Sequence, residues 1–194
     1  MNNIVMTARA SSMSLEQLNV SKRIIGTDAP IITKTKSIMK GRDDVLSLAQ
    51  GIVYWSPPKA ALEKASLLVD EKSASLHQYG PTRGLPELCE VLTEKLRREN
   101  GLTGVCVMIT AGANQAYTNV VLALTDESDR CVLFAPYYFN HLMAHQMTGG
   151  AGRISFGPCH SDTLHPDLDW LEAELSGPDP PRLVTIVNPC NPTG

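Results

Sequence analysis

Apolar and polar positions follow two different patterns along this chain. Short uninterrupted apolar runs alternate with longer stretches in which apolar residues recur every three or four positions. A short apolar run is typical of a strand buried on both faces of a parallel sheet, and the wider spacing predicts a helix with one apolar face. The alternation is clearest in the second half of the sequence. It predicts an α/β fold with a parallel sheet and helices on its faces.

The best-defined unit of this pattern is a strand, a turn and a helix around Gly112. Residues 105–109 are apolar and rich in β-branched side chains, so we expect a buried strand there. The apolar positions of residues 117–124 predict a helix that begins near Ala113. Backbone N–H groups at such a helix start can bind a phosphate. The unit therefore favours a phosphorylated ligand at Gly112, Ala113 and Asn114, with a glycine that serves packing alone as the alternative.

Further elements follow from the same two patterns. Strands are predicted over residues 131–134, 153–156 and 183–187. Helices are predicted over residues 30–39, from Pro58 onward, and over residues 86–100, 137–147 and 167–175. Residues 45–55 read as an extended apolar segment that Gly51 interrupts. A glycine in this position marks either a close backbone approach to a ligand or a simple bend.

Three of the predicted strands end in residues suited to one kind of ligand. The turn at Gly112 follows the first, an aromatic cluster that includes Tyr138 follows the second, and two Asn-Pro turns that include Asn191 follow the third. Carboxyl ends of parallel strands open on a common crevice. Backbone amides, a flat ring and a carboxamide are thus predicted to meet there. That combination suits a planar, phosphorylated aromatic ligand.

Composition and charge narrow the classes of function. The 194 residues are 43% hydrophobic and 19% charged, as in ordinary globular proteins, and the net charge of −3 gives no reason to expect nucleic acid or an anionic membrane as a partner. The five cysteines are scattered and odd in number, which is typical of core thiols in a reducing compartment. His141 and His145 stand four residues apart without a third ligand, so we expect no metal.

Several motifs in this sequence resemble those of one enzyme family. They are residues 79–86, 110–116 and 191–194, which read Tyr-Gly-Pro-Thr-Arg-Gly-Leu-Pro, Thr-Ala-Gly-Ala-Asn-Gln-Ala and Asn-Pro-Thr-Gly. In this order and spacing they resemble the class I/II aminotransferases, fold type I enzymes that use pyridoxal 5'-phosphate. Residues 48–51, 135–140 and 161–164 are similar to the plant-type aromatic and methionine aminotransferases. The likeness runs from about Arg23 to Gly194.

The resemblance implies a fold and a division into domains. The expected fold is part of the large domain of these enzymes, three-layered with a mostly parallel sheet, together with part of the small domain. We expect a flexible tail over residues 1–20, an arm and part of the small domain over residues 21–57, and the first half of the large domain over residues 58–194. A cytoplasmic location is expected, or an organellar one if the first 20 residues are a transit peptide.

The resemblance also implies roles for individual residues toward pyridoxal phosphate. Gly112, Ala113 and Asn114 would hold its phosphate. Tyr138 would stack on the pyridine ring, and Asn191 would donate a hydrogen bond to the ring hydroxyl. The alternatives are that Tyr138 is a core aromatic and that Asn191 only forms a turn.

Two more residues receive roles toward partners and substrates. By resemblance, Tyr79 would reach the phosphate of the neighbouring subunit in a homodimer, and the backbone at Gly51 would face the carboxylate of the substrate. A surface ring and a plain bend are the alternatives. The implied reaction moves an amino group from an amino acid, aromatic or methionine-like, to a 2-oxo acid. No nucleic acid or membrane is implied.

The resemblance places the remaining catalytic groups beyond Gly194. These are the lysine that forms the Schiff base with the cofactor, an aspartate at the pyridine nitrogen and an arginine for the substrate carboxylate. We therefore expect no catalytic residue in this chain and no turnover from it alone. A pyridoxal-phosphate lyase of the same fold and a non-catalytic product that pairs with full-length subunits are the alternatives. A nucleotide-binding α/β protein is disfavoured, because the sequence has no Gly-x-Gly-x-x-Gly and no phosphate-binding Gly-Lys-Ser/Thr loop.

Overall fold

The computed structural model describes residues 19–49, 51–70 and 74–194. Most of the predicted amino-terminal tail lies outside these residues. Within the described part, the contacts between residues divide the chain into two compact units. One unit contains the described residues up to Ile38 together with residues 113–194, and the other contains residues 39–112. The domain boundaries expected from the sequence stay a prediction.

A parallel sheet forms the centre of the first unit. It contains β1 (Cys131–Phe134), β2 (Ile154–Gly157) and β3 (Leu183–Thr185), in the order β2-β1-β3. Cys131 lies opposite Ile154 on one side and Leu183 on the other. All four residues of β1 are buried, as expected of a central strand that is covered on both faces. The three strands predicted from apolar runs in this half are confirmed, each within a few residues.

The strand predicted over residues 105–109 is wrong. In the structure this segment belongs to the second unit and has no regular secondary structure. A strand needs a neighbour along its length. Here Ile109 N–H donates to the Arg83 carbonyl oxygen at 2.8 Å and Arg83 Nη2 donates to the Val107 carbonyl oxygen at 3.3 Å, which is too little for a ladder.

The ends of the helices follow local sequence signals. The helices are α1 (Lys22–Ile25), α2 (Ile31–Met39), α3 (Lys59–Asp70), α4 (Pro86–Asn100), α5 (Gly112–Leu124), α6 (Phe139–Thr148) and α7 (Leu168–Ser176). The Asp167 carboxylate accepts a hydrogen bond from Trp170 N–H at 2.9 Å and so caps the start of α7. Gly101 ends α4 with φ of 68°, a left-handed conformation that glycine adopts at low cost. The helix predicted from near Ala113 is confirmed as α5.

An ion-pair network lies at the amino end of the sheet. Arg130, directly before β1, pairs with Glu174 of α7 and donates to Ser155 Oγ of β2 at 2.7 Å. Arg153 pairs with Asp179 at 2.7 Å. These side chains connect the strands at their amino ends. Ligands bind to parallel sheets at the opposite end, in the loops after the carboxyl ends of the strands.

Among the residues that the structure describes, none of the helices has both the length and the apolar character that crossing a membrane requires.

Candidate functional site

The carboxyl ends of two neighbouring strands meet at the candidate site. β1 leads into residues 135–138, and β3 leads into the turns of residues 188–194. The Cys190 thiol lies 3.8 Å from the Pro136 carbonyl oxygen, so the second loop bends over the end of β1. The turn is closed by Gly194 N–H, which donates to the Cys190 carbonyl oxygen at 2.7 Å. Tyr138 and Asn191 thus belong to two loops that touch.

A tyrosine joins α5 to both β3 and α6. The Tyr117 hydroxyl shares a hydrogen bond of 2.8 Å with Thr185 Oγ1 at the end of β3, and another of 3.1 Å with His145 Nε2 of α6. Tyr117 lies five residues after Gly112, the first residue of the helix. At about 1.5 Å per residue, the start of α5 is therefore roughly 8 Å along the helix from the contact with β3.

Aromatic contacts fix the ring of Tyr138. The His141 ring lies edge-on to Tyr138, with 5.4 Å between ring centroids, and packs against Tyr117 at 4.1 Å. Asn140 Nδ2 donates to the Tyr138 hydroxyl at 2.8 Å. Contacts to its ring and to its hydroxyl thus give the Tyr138 side chain a fixed orientation.

Burial controls the titration of the groups behind Tyr138. It raises the pKa of Tyr117, and it lowers the pKa of His141. His145 is 1% exposed, and burial, with a smaller effect of neighbouring His141, lowers its pKa as well. Both imidazoles are therefore neutral at pH 7. His141 Nδ1 is buried and has no hydrogen-bond partner among the described residues.

The start of α5 is open and carries no negative charge. Gly112 has φ of +79°, and a Cβ atom built on it would have nothing within 4 Å. Gly112, Ala113 and Asn114 are exposed, and the first turn of the helix contains no acidic residue. Thr110 Oγ1 donates to the Gly112 carbonyl oxygen at 3.0 Å and steadies the turn. The Gly112 N–H donates to the Thr110 carbonyl oxygen at 2.8 Å, so a phosphate fits this helix start at the N–H groups of Ala113 and Asn114, which short side chains leave accessible.

A small pocket with a cavity volume of about 40 Å³, partly open to solvent, lies between the loops. It is lined by side chains on each strand end, among them Pro136, Tyr137, His141, Thr185 and Cys190. Tyr137, which stacks on Phe156 at 5.2 Å, lines this pocket. Tyr138 and Asn191 do not line it, although the residue before each of them does. Asn191 itself is exposed.

The other two residues that the sequence singled out are exposed residues of the second unit. The Tyr79 side chain is fully exposed, and Gly51 is exposed with open space where a Cβ would lie. Their roles stay predictions.

Sequence reasoning missed the cluster that Tyr117 forms with His141 and His145. Tyr117 counted only as part of an apolar helix face, while its hydroxyl in fact connects three elements. Of the two histidines, at which no metal is expected, His145 shares a hydrogen bond between its Nε2 and the Tyr117 hydroxyl. The signal for this cluster was present: a tyrosine on the inner face of one helix and histidines four apart on the next.

Comparison with known proteins places the chain in a family. Residues 43–194 match the family model described as aminotransferase class I and II. The chain is 52% identical over 176 residues to the aromatic aminotransferase ISS1 of Arabidopsis thaliana, covering 90% of this chain and 44% of that protein. It thus spans less than half the length of this relative.

Solved structures agree on the fold. A Pyrococcus protein superposes with a TM-score of 0.76 at 28% identity, covering 88% of this chain and 43% of its own. The aromatic aminotransferase from Pyrococcus horikoshii OT3 gives 0.67 at 27% identity, covering 82% and 42%. The predicted fold type I architecture, present in part, is confirmed. This chain belongs to the class I and II aminotransferase family.

Proposed function

We propose that this chain binds pyridoxal 5'-phosphate where β1, β3 and α5 meet. One observation carries the proposal: the loop after β3 touches the loop after β1 through Cys190 and Pro136, and Tyr117 of α5 is hydrogen-bonded to the end of the same β3. These contacts join the three segments that carry the predicted cofactor residues. All of those residues belong to the first unit except Gly112, which is the last residue of the second.

The residues suit the separate parts of the cofactor. The open, uncharged start of α5 would hold the phosphate at Gly112, Ala113 and Asn114, with Gly112 forming the turn and Ala113 and Asn114 offering their N–H groups. Tyr138 would stack on the ring, and Asn191 would donate to the ring hydroxyl. When bound, the cofactor supplies an electron-poor ring that stabilises negative charge at the substrate α-carbon.

The chain's other residues at the site serve to orient Tyr138. His141 packs between Tyr117 and Tyr138, and Asn140 bonds the Tyr138 hydroxyl. Since burial lowers the pKa of His141, that ring is uncharged and can pack closely against both aromatic neighbours. The ring face of Tyr138 is thus positioned before any ligand arrives.

For the whole protein we propose amino transfer from an aromatic amino acid to a 2-oxo acid. Support comes from the Arabidopsis relative, which is named an aromatic aminotransferase. A methionine-like donor is the alternative that the sequence resemblance leaves. The whole protein is proposed to be a homodimer in which Tyr79, exposed here, reaches the neighbouring subunit's phosphate site and the backbone at Gly51 faces the substrate carboxylate. A kcat/KM of the whole protein for aspartate that equals or exceeds those for phenylalanine and methionine would contradict the donor proposal.

Cofactor binding can be tested with pyridoxamine 5'-phosphate, which lacks the aldehyde that reacts with any accessible lysine. Equilibrium dialysis should show binding that weakens strongly when pyridoxamine without phosphate is used. Asn191→Ala and Tyr138→Ala should each weaken binding about tenfold, as expected for about 1.4 kcal/mol of lost interaction.

Tyr54→Ala is the matched control, because Tyr54 is 95% exposed and has no part in the proposed site. It should bind as the unchanged chain does. Equal affinity for the phosphorylated and unphosphorylated compounds would rule out the proposed site. So would an equal loss of affinity in Asn191→Ala, Tyr138→Ala and the control.

A further inference from the structure

Two cysteines line one pocket beside the candidate site. Cys159 follows β2 and Cys190 follows β3, and both border the pocket that Pro136 also lines. Both thiols are free and half-buried. Neither thiol is proposed to contact the cofactor, so a separate explanation is needed for the pair.

The backbone brings these two cysteines toward each other. β2 and β3 lie on opposite sides of β1, so roughly 10 Å separates them within the sheet. A disulfide needs Cα atoms within roughly 7 Å of each other, so at least one of the following loops must bend inward. The loop after β3 does so, because Cys190 Sγ lies 3.8 Å from the carbonyl oxygen of Pro136, which follows the central strand.

The segment after β2 is held against the same central strand. Ala135 N–H donates to the Gly157 carbonyl oxygen at 2.9 Å, two residues before Cys159. A backbone bridge between Cys159 and Pro166 then fixes Cys159 at the base of the next loop. Cys159 and Cys190 therefore approach the end of the central strand from its two sides and line the same pocket there.

The charges of the two thiols are coupled. Burial raises the pKa of Cys159, and the negative charge of Cys190 raises it further. Such an interaction falls off with distance, so it agrees with the shared pocket. Two thiolates repel each other here, and a disulfide would remove both charges.

We propose that Cys159 and Cys190 form a reversible disulfide, with a low-molecular-weight disulfide such as oxidised glutathione as the oxidant. The bond would tie the loop after β2 to the turn that carries Asn191 and would close the pocket between them. The inference rests on the positions of the two thiols and does not depend on cofactor binding.

The exchange balances in two steps. The Cys190 thiolate attacks one sulfur of oxidised glutathione, which breaks the S–S bond, forms a mixed disulfide and releases one glutathione thiolate. The Cys159 thiolate then attacks Cys190 Sγ and releases the second. The protons of both cysteines go to the two released thiolates. The cysteine pair is oxidised by two electrons, and glutathione disulfide is reduced by two.

Peptide mass spectrometry tests the proposal on the folded chain. The fully reduced protein is incubated with oxidised glutathione, remaining thiols are alkylated, and the digest is examined without reductant. We expect a cross-linked peptide pair containing Cys159 and Cys190, with the loss of two hydrogen masses, that dithiothreitol reverses. The rate should increase as the pH is raised above neutral, because the raised pKa of Cys159 limits its thiolate fraction.

Two variants serve as controls. In Cys159→Ser, Cys190 should retain glutathione as a mixed disulfide and no cross-link should form. In Cys106→Ser, which removes an exposed thiol, the cross-link should form as in the unchanged chain. Circular dichroism before and after oxidation confirms that the protein is folded. The proposal would be overturned if Cys159 and Cys190 were found alkylated or each carrying its own glutathione. A cross-link that forms only in denaturant would overturn it as well.

Discussion

Tyr117 is the single side chain that connects most of the candidate site. Its hydroxyl contacts Thr185 of β3 and His145 of α6, and its ring packs against His141. A buried hydrogen bond contributes about 1 kcal/mol net, but a buried polar group left without a partner costs about 1–3 kcal/mol. Tyr117 therefore matters more for the partners that it satisfies than for its own hydroxyl.

The change Tyr117→Phe tests this role. The ring stays while Thr185 Oγ1 and His145 Nε2 lose their partner, so we expect the free energy of unfolding to fall by about 1–3 kcal/mol. Urea unfolding followed by circular dichroism measures the loss. Tyr54→Phe removes a hydroxyl from a side chain that is 95% exposed and should change stability by less than about 0.5 kcal/mol. Equal effects in the two variants would show that the hydrogen bonds of Tyr117 are unimportant.

The buried histidines make stability depend on pH. The pKa of His145 and that of His141 are lowered from 6.5, because burial opposes the charged form. Below about pH 6.5 the unfolded chain therefore takes up protons that the folded chain does not, and stability falls as the pH falls. Above that range the titration of these groups no longer changes stability.

Unfolding in urea at about pH 7.5 and about pH 5.5 measures this dependence. His145→Gln cannot take up a proton and should lose less stability between the two values than the unchanged chain does. An identical loss in both proteins would mean that His145 does not contribute.

At the scale of elements, β1, β2 and α7 pack closely around Gly157. A Cβ atom at this glycine would lie 2.6 Å from the Phe134 ring and 2.7 Å from the Trp170 ring. These rings meet edge-to-face at 6.0 Å between centroids and cover the end of the sheet. The sheet and α7 thus approach as closely as they do because position 157 has no side chain.

Gly157→Ala should therefore destabilise the fold by about 1–3 kcal/mol, the usual effect of overfilling a packed core. Gly152→Ala is the matched control, because its Cβ would have nothing within 4 Å. The control should change stability by less than about 0.5 kcal/mol. Thermal unfolding of both variants decides the point, and an unchanged melting temperature for Gly157→Ala would refute it.

The success of prediction from the sequence also differs between elements. Helix starts and stops at Pro86, Gly101 and Asp167 were readable because capping is a local property. The short apolar runs correctly predicted the strands of the sheet, because a strand that is buried on both faces has an uninterrupted apolar sequence. Residues 105–109 have that pattern without a strand, because pairing depends on a distant partner that local sequence does not reveal.

At the scale of the whole molecule, the topology of the sheet determines how much of the site could be predicted. The rule that parallel strands open on one crevice placed the loops of Tyr138 and Asn191 together, and those loops do touch. Sequence could not show that Tyr137 lines the pocket while Tyr138 contacts His141. Which of two adjacent side chains points inward depends on the exact path of a loop, and no periodicity records it.

The central claim concerns three separate stretches of chain that bind one ligand. Titrating the isotope-labelled chain with pyridoxamine 5'-phosphate and following backbone amide signals by nuclear magnetic resonance tests it most directly. We predict that the amide signals of Ala113 and Asn114 shift together with those of Tyr138 and Asn191, with one shared dissociation constant. Pyridoxamine without phosphate should not shift the signals of Ala113 and Asn114. Shifts confined to one of the three stretches, or different dissociation constants for them, would contradict a single cofactor site.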